Sequence, residues 1–175
     1  MPEHKKIQIG VLGCSRVAKK YFFPYVSSSE LADVEFIGSR SLEKAQEYAK
    51  DCSITKYGNY DDVINSDVDM VYISLPISMH EEWSIKAAKA GKHVLCEKSS
   101  TTSYESAKKI LYACKENNVR ILEAFAFRFH PQHKIIKNLM RDQLGEINNF
   151  YGIFGFPPPP EGDIRWQKEL GGGVL

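Results

Sequence analysis

The sequence has no long uninterrupted apolar run and no excess of charge of either sign. No stretch of the 175 residues approaches the ~20 consecutive apolar residues that a membrane-spanning helix needs. The 23 Lys and Arg against 22 Asp and Glu give a formal net charge of +1. This balance argues against a protein that binds nucleic acid or a membrane surface through charge. We therefore expect a globular protein whose partners include no nucleic acid and no membrane.

Cysteine is also scarce, with only Cys14, Cys52, Cys96 and Cys114 present. None of them forms a Cys-x-x-Cys pair, and no histidine lies at zinc-ligand spacing from them, so we predict no metal site. The segment 1–6 is short and polar and lacks the apolar stretch of a signal peptide. These absences favour free thiols in a reducing compartment, and the expected localisation is cytoplasmic.

What the sequence does contain is a repeated alternation of apolar strands and amphipathic helices. Predicted strands cover 6–12, 34–39, 68–75, 93–96 and 119–124, and predicted helices cover about 16–26, 42–49, 78–90, 102–114 and 131–140. Ser41 is the predicted N-cap of the second helix, and Ser78 and Thr102 begin capping boxes of the S/T-x-x-E form. Continuously apolar strands separated by helices indicate an α/β fold, a doubly wound parallel sheet of Rossmann type.

The pattern changes towards the end of the chain. Residues 147–156 alternate aromatic and polar side chains, as an antiparallel strand would, and the prolines at 157–160 exclude regular structure. We predict a dinucleotide-binding domain over residues 1–127. Residues 128–175 are predicted to form a connection and the truncated start of an α+β substrate domain.

The turn after the first strand has the pattern of a phosphate-binding loop. Its six residues match G-x-G-x-x-G/A except that serine replaces the second glycine: Gly13, Cys14, Ser15, Arg16, Val17 and Ala18. Gly13 permits a tight turn, and a small residue at Ser15 lets the backbone approach a pyrophosphate at the start of the helix. The alternative left open by these residues is an ordinary tight turn.

The end of the second strand indicates which dinucleotide is bound. An NAD site places Asp or Glu there for the ribose 2′-hydroxyl, whereas this chain has Ser39 and Arg40. An arginine can form charge-assisted hydrogen bonds with a 2′-phosphate and stack on adenine. We therefore predict NADP as the cofactor, with a solvent-exposed loop arginine as the alternative.

Further segments resemble one oxidoreductase family. They are YISLP at 72–76 with His80, AGKHVLCEK at 90–98, EAFAFRFHP at 123–131, and DIR at 163–165 followed by ELGGG at 169–173. Together with the glycine turn, this order resembles the glucose-fructose oxidoreductase / inositol dehydrogenase (Gfo/Idh/MocA) family, and within it the dihydrodiol dehydrogenases and NADP-linked sugar dehydrogenases. The resemblance implies hydride transfer between NADP and a hydroxyl or carbonyl carbon of a sugar or cyclic diol.

The resemblance also implies a catalytic lysine. Glu97 and Lys98 match the family's E-K-P motif, with Ser99 where proline is usual. Lys98 is thereby implied to contact the reacting hydroxyl or carbonyl beside the nicotinamide. Independently, a lysine at the carboxyl end of a parallel strand lies at the crevice where ligands bind. A solvated lysine at the strand end is the equal alternative.

Other roles follow from the same resemblance. The family's P-N-x-x-H turn is represented at 76–80 with Ile77 at the polar position, and His80 faces either the cleft or the first helical turn. The implied cofactor-binding residues are Gly13, Cys14, Ser15, Arg16, Val17, Ser39, Arg40, Ser74, Leu75, Pro76, His80, Glu97 and Arg128. The implied substrate-binding residues are Lys98, Arg165 and Trp166. For Arg128 a structural role is the alternative, and Glu123 either binds a nicotinamide ribose or pairs locally.

In the family the chain continues beyond G-G-G-x-L. It adds a helix with a His or Tyr acid–base partner, and then a large sheet that walls the substrate site and usually mediates oligomers. We therefore expect this chain to be a fragment of a protein that acts on a small carbohydrate or diol and forms a homo-oligomer. The alternatives are a non-catalytic NADP-binding regulator and a structural module.

Overall fold

The apolar runs pair into a six-stranded parallel sheet in the computed structural model, which describes residues 5–173. The strands are β1 (Ile7–Leu12), β2 (Ala32–Gly38), β3 (Lys56–Gly58), β4 (Met70–Ile73), β5 (His93–Cys96) and β6 (Ile121–Glu123). Their order is β3-β2-β1-β4-β5-β6, and every pair is parallel. The chain moves outward from β1 in one direction and then from β4 in the other. The predicted doubly wound fold is confirmed.

Helices connect the strands on both sides of the sheet. They are α1 (Arg16–Tyr21), α2 (Phe23–Val26), α3 (Leu42–Asp51), α4 (Tyr60–Ile64), α5 (His80–Lys89), α6 (Tyr104–Glu116) and α7 (Gln132–Asp142). Single 3-10 turns cover Ile77–Met79, Ala126–Phe129, Ile164–Trp166 and Lys168–Leu170. The predicted helix over 16–26 is divided at Phe22, because Pro24 in the first turn of α2 has no N–H to donate to a continuous helix.

The central strands are buried on both faces. Val11 and Tyr72 pack with α1, α2 and α3 on one face, and Leu12 and Ile73 pack with α4 and α5 on the other. Burying each such side chain contributes on the order of 1.5–3 kcal/mol. This two-sided burial explains why β1 and β4 are continuously apolar rather than alternating.

The sequence analysis does not predict β3 or α4. Both are short, with three and five residues, so their apolar patterns are weak. A signal for α4 was nonetheless present in its capping box: the Asp62 N–H donates to Asn59 Oδ1 at 2.9 Å, and the Asn59 N–H donates to Asp62 Oδ2 at 2.7 Å.

One of the three predicted N-caps is confirmed. Ser41 Oγ accepts a hydrogen bond from the Lys44 N–H at 3.2 Å. Ser78 is not a cap, because it lies inside the 3-10 turn that precedes α5. The predicted cap at Thr102 is wrong by one residue, because Ser103 Oγ accepts the hydrogen bond from the Ser106 N–H at 3.2 Å. Adjacent hydroxyl residues make such a position ambiguous in sequence.

The predicted strand over 147–156 is wrong. This segment has neither strand nor helix, and Phe150 is 91% exposed. A strand is stabilised by hydrogen bonds to a neighbour, and within residues 5–173 no strand pairs with it. Alternation alone is therefore insufficient to form the strand here.

The corrected cap of α6 can be tested by paired substitutions. Ser103→Ala should lower the free energy of unfolding by about 1 kcal/mol, because the Ser106 N–H loses its acceptor. Thr102→Ala is the matched control and should change it by less than about 0.5 kcal/mol. Urea denaturation of both variants measures this difference, and a larger loss for Thr102→Ala would contradict the assignment.

Candidate functional site

A cleft of about 990 Å³ opens at the carboxyl ends of the central strands. Its walls come from residues 13–17 after β1, 39–41 and 44 after β2, 74–77 after β4 and 97–98 after β5, and residues 162–165 and 170–172 close another side. The reversal of strand order between β1 and β4 separates these connections and leaves room for a ligand. The volume suits a cofactor or small molecule.

Gly13 brings the first turn of the cleft close to the neighbouring strand. Its φ is +102°, a conformation that L side chains rarely adopt. A Cβ at this position would lie 2.8 Å from the Ser74 carbonyl oxygen and 2.9 Å from Leu75 Cδ2. Glycine is therefore required both by the backbone conformation and by the lack of space.

Ser15, which replaces the second glycine of the motif, accepts hydrogen bonds through both its side chain and its backbone carbonyl. Ser15 Oγ accepts from the Ala18 N–H at 3.0 Å and caps α1. The Tyr48 hydroxyl donates to the Ser15 carbonyl at 2.7 Å, and burial raises the pKa of Tyr48 well above its usual value, so it remains a donor. Sequence reasoning did not identify Tyr48, because nothing local signals a contact across 33 residues.

Ser74 joins the two central strands where they end. Its side chain is buried and donates to the Leu12 carbonyl at 3.0 Å, with the Gly13 carbonyl at 3.3 Å. The residue lines the cleft while its hydroxyl is engaged by the β1 turn. Its contribution to the cleft is therefore to hold the turn and the β4 end together.

One end of the cleft is cationic. Arg40 and Lys44 are both exposed there, and within residues 5–173 neither has a carboxylate partner. Ser41 and Tyr60 complete this wall; burial raises the pKa of Tyr60, and the nearby Arg40 partly opposes that shift. Sequence analysis missed Lys44 and Tyr60. Lys44 lies in the first turn of α3, beyond the strand tip, and Tyr60 belongs to the unpredicted α4.

The other end of the cleft contains the Glu97–Lys98 pair. The Tyr72 hydroxyl donates to Glu97 Oε1 at 2.6 Å, and the Lys98 N–H donates to Glu97 Oε2 at 3.3 Å. Burial, with the Glu97 carboxylate next, raises the pKa of Tyr72 well above its usual value. The Lys98 side chain is exposed and lines the cleft, and the Lys98–Ser99 peptide bond is cis. Glu97 is thus held from both sides, and Lys98 is left accessible to a ligand.

The segment 162–172 approaches the glycine turn from outside the sheet. Arg165 donates to Asp163 through Nε at 2.8 Å and Nη2 at 3.0 Å. Those hydrogen bonds hold the pKa of Asp163 well below its usual range, and the charge of Arg16 adds to the effect. A Cβ at Gly171 would lie 2.8 Å from Ile77 Cβ, so the backbone here packs tightly on the residues after β4.

Most of the sequence-predicted residues lie together in this cleft. Those that line it are Gly13, Cys14, Ser15, Arg16, Val17, Ser39, Arg40, Ser74, Leu75, Pro76, Glu97, Lys98 and Arg165. Their proximity follows from parallel topology, because the carboxyl ends of all the strands meet at one edge.

Three predicted residues do not line the cleft. His80 is fully buried, and both of its ring nitrogens face backbone carbonyls. Arg128 is exposed in the 3-10 turn after the edge strand β6. Trp166 donates its indole N–H to the carbonyls of Pro159 and Pro160, at 3.2 and 3.1 Å. Direct ligand contacts predicted for these three residues therefore have no geometric support.

Glu123, for which two roles were open, makes a local contact. Its Oε1 accepts from the Ser100 N–H at 2.9 Å and braces the loop that follows Lys98. Among residues 5–173, no three metal-binding side chains come together. In the same part of the chain, none of the helices has the length and apolar character to cross a membrane.

Comparison with known proteins agrees with this geometry. A family model described as an oxidoreductase family with an NAD-binding Rossmann fold matches residues 7–125. The chain belongs to this Gfo/Idh/MocA family. A dTDP-3,4-didehydro-2,6-dideoxy-alpha-D-glucose 3-reductase from Actinomadura kijaniata is 36% identical over 171 residues, which are 97% of this chain and 52% of the relative. D-xylose 1-dehydrogenase (NADP(+)) 2 of Haloferax volcanii is 35% identical to this chain. The match covers 97% of this chain and 53% of the dehydrogenase.

A solved structure extends the likeness of this Gfo/Idh/MocA chain to the whole described fold. A 3-ketoreductase from Actinomadura kijaniata, crystallised with NADP and TDP-benzene, superposes with a TM-score of 0.91 at 35% identity. The match covers 97% of this chain and 53% of that protein. The chain therefore spans about half the length of the relatives it matches.

Cys96, the last residue of β5, makes the stability of the fold depend on pH. Burial raises the pKa of its thiol to about 12, whereas an unfolded thiol titrates near its ordinary value of 9.0. Because the folded pKa is the higher one, the buried thiol's contribution to stability is fully present below pH 9 and is lost as the pH rises towards 12.

Comparison with Cys96→Ala isolates this effect from other titrations. The difference in unfolding free energy between the natural chain and the variant should fall by about 1 kcal/mol between pH 8 and pH 10. Urea denaturation at the two pH values measures it. A difference that stays constant would mean that the thiol titrates alike in both states.

Proposed function

We propose that this chain is the cofactor-binding part of an NADP-dependent oxidoreductase that acts on a sugar or cyclic diol. One observation carries the proposal: the cleft runs from the glycine turn to a cationic end formed by Arg40 and Lys44, which have no carboxylate partner within residues 5–173. A dinucleotide phosphorylated on its ribose carries negative charge that matches this arrangement.

The turn after β1 fits the diphosphate of such a cofactor. There is no room for a side chain at Gly13. Its backbone is therefore exposed at the floor of the cleft. Ser15 is small, and its hydroxyl is engaged by the Ala18 N–H. Backbone amides at such a turn bind phosphate oxygens closely.

The cationic end fits the 2′-phosphate. Arg40 supplies a planar fork for phosphate oxygens, and Lys44 supplies a second positive charge in the first turn of α3. An NAD site would present a carboxylate at the tip of β2, where this chain has Ser39. The preference for NADP therefore follows from the positive charge, and the lack of a carboxylate, at the end of β2.

The other end of the cleft fits the nicotinamide and the reacting carbon. Bound NADP would supply the hydride acceptor, or NADPH the donor, and the protein would orient it. We propose that Ser74, Leu75 and Pro76 wall the nicotinamide half, and that Lys98 Nζ donates a hydrogen bond to the substrate oxygen. Glu97 is held by Tyr72 and fixes the backbone beside Lys98.

The names of the relatives support the substrate class. One is a reductase of a dTDP-linked sugar, one is a xylose dehydrogenase, and the superposed ketoreductase was crystallised with a TDP compound. Catalysis, the substrate site and a homo-oligomer belong to the proposal for the complete protein. A cytoplasmic location is part of the same proposal and suits the four free thiols.

Substitution of Arg40 tests the choice of cofactor. Arg40→Ala should weaken NADPH binding roughly 10- to 100-fold, because one charge-assisted contact is worth about 1.5–3 kcal/mol. Binding of NADH, which has no 2′-phosphate, should change by less than about threefold. Calorimetry on this chain measures both affinities, with the exposed Arg120→Ala as matched control. Stronger binding of NADH than of NADPH by the natural chain would overturn the preference.

Substitution of Gly13 tests the diphosphate site. Gly13→Ala should abolish measurable NADPH binding, because the new Cβ meets the Ser74 carbonyl at a positive φ. Gly91→Ala is the control: its φ of +73° is also positive, but no atom lies within 4 Å of the added Cβ. The control should lose about 1 kcal/mol of stability and retain binding. Undiminished binding by Gly13→Ala would exclude the turn as the site.

A further inference from the structure

Tyr60 reaches the cationic end of the cleft from the core of the fold. Its ring belongs to the buried cluster around β1 and β4 and packs edge-on against Trp83, with ring centroids 4.9 Å apart and an interplanar angle of 74°. The residue is only 8% exposed, and it nevertheless lines the cleft together with Arg40. Tyr60 is therefore a firmly packed side chain with a small accessible part at the cationic end.

The backbone places Tyr60 beside Arg40. β2 and β3 are paired up to their ends, and just beyond the pairing the Ser39 N–H donates to the Gly58 carbonyl at 3.0 Å. Asn59 caps α4 through its side chain, and Tyr60 is the first residue of that helix. Arg40 is one residue from this hydrogen bond and Tyr60 is two residues from it, so the two side chains are held next to each other.

The hydroxyl of Tyr60 is available to a ligand. The hydroxyls of the buried residues Tyr48 and Tyr72 each donate to a protein oxygen, at 2.7 and 2.6 Å, whereas that of Tyr60 donates to none within residues 5–173. Burial raises the pKa of Tyr60, and the positive charge of Arg40 works against that shift, which places the guanidinium near the hydroxyl. A phenolic hydroxyl can accept one hydrogen bond and donate its own hydrogen at the same time.

We propose that Tyr60 is a specificity-determining residue for the 2′-phosphate of NADP, with its hydroxyl accepting a hydrogen bond from Arg40 and donating one to a phosphate oxygen. This inference rests on the dinucleotide site proposed above and adds a neutral donor to its two cations. A hydrogen bond to an ionised oxygen is stronger than one to a neutral oxygen. NADH has an uncharged ribose hydroxyl at this position, so its binding depends little on Tyr60.

Tyr60→Phe tests the hydroxyl alone, because phenylalanine keeps the ring that packs against Trp83. The variant should weaken binding of NADPH and of 2′,5′-ADP, which share the 2′-phosphate, by roughly 5- to 20-fold. Binding of NADH should change by less than about twofold. Calorimetry on this chain measures the three affinities. Tyr57→Phe, at an exposed tyrosine of β3 outside the cleft, is the matched control and should change none of them.

A double-variant cycle tests the contact between Tyr60 and Arg40. Without Arg40 the hydroxyl loses the donor that orients it, so Tyr60→Phe should cost less NADPH affinity in an Arg40→Ala background. The loss in the double variant should be smaller than the product of the two single losses by about threefold or more. Losses that multiply would show that the two side chains act independently and would overturn the shared contact.

Equal losses for NADPH and NADH would indicate a structural role of Tyr60 and overturn the inference, as would unchanged NADPH binding. Either outcome leaves the proposed function standing, because the natural chain still binds NADPH. Failure of the natural chain to bind NADPH would overturn the proposed function, and this inference with it. If Tyr60→Phe does not fold, Tyr60→Met provides the same comparison, because methionine fills irregular space and has no hydroxyl.

Discussion

The site depends on the close approach of β1 and β4 where these two central strands end. Gly13 has no side chain, so its backbone lies against the Ser74 carbonyl, and the Ser74 hydroxyl donates back to the Leu12 carbonyl. This contact sets the floor of the cleft at the point where the strand order reverses. A bulkier residue at position 13 would separate the strands or change the turn, and every other wall of the cleft is placed relative to them.

The chemistry of the cleft is divided between its ends by the order of the strands. The position of β2 beside β1 puts Arg40 and Lys44 at one end, while β5, beside β4, puts Lys98 at the opposite end. A ligand that reaches both must be long, with negative charge at the first end and a reactive group at the second. A dinucleotide has that length and that distribution of charge.

The sequence predicts those parts of the site that depend on strand ends and local turns. The order of apolar runs predicts a parallel sheet, and parallel strands bring their carboxyl ends together, so Gly13, Ser39, Ser74 and Lys98 could be placed at one edge. It does not predict Tyr48, whose hydroxyl supports the Ser15 carbonyl from a distant helix. Residues 147–156 show the converse error, since an alternating pattern forms no strand without a neighbour.

His80 illustrates why a recognised motif does not by itself define a contact. Its spacing after β4 indicates a position near the cleft. The structure places its ring directly behind the cleft wall, in contact with the carbonyl of Leu75. The ring nevertheless turns inward: it is excluded from water, and its two nitrogens lie 2.9 and 2.8 Å from the carbonyl oxygens of Ser99 and Leu75. The residues that line the cleft are thus held by buried and half-buried polar groups. These groups, among them Ser74, Tyr48 and Glu123, make contacts between segments far apart in the chain.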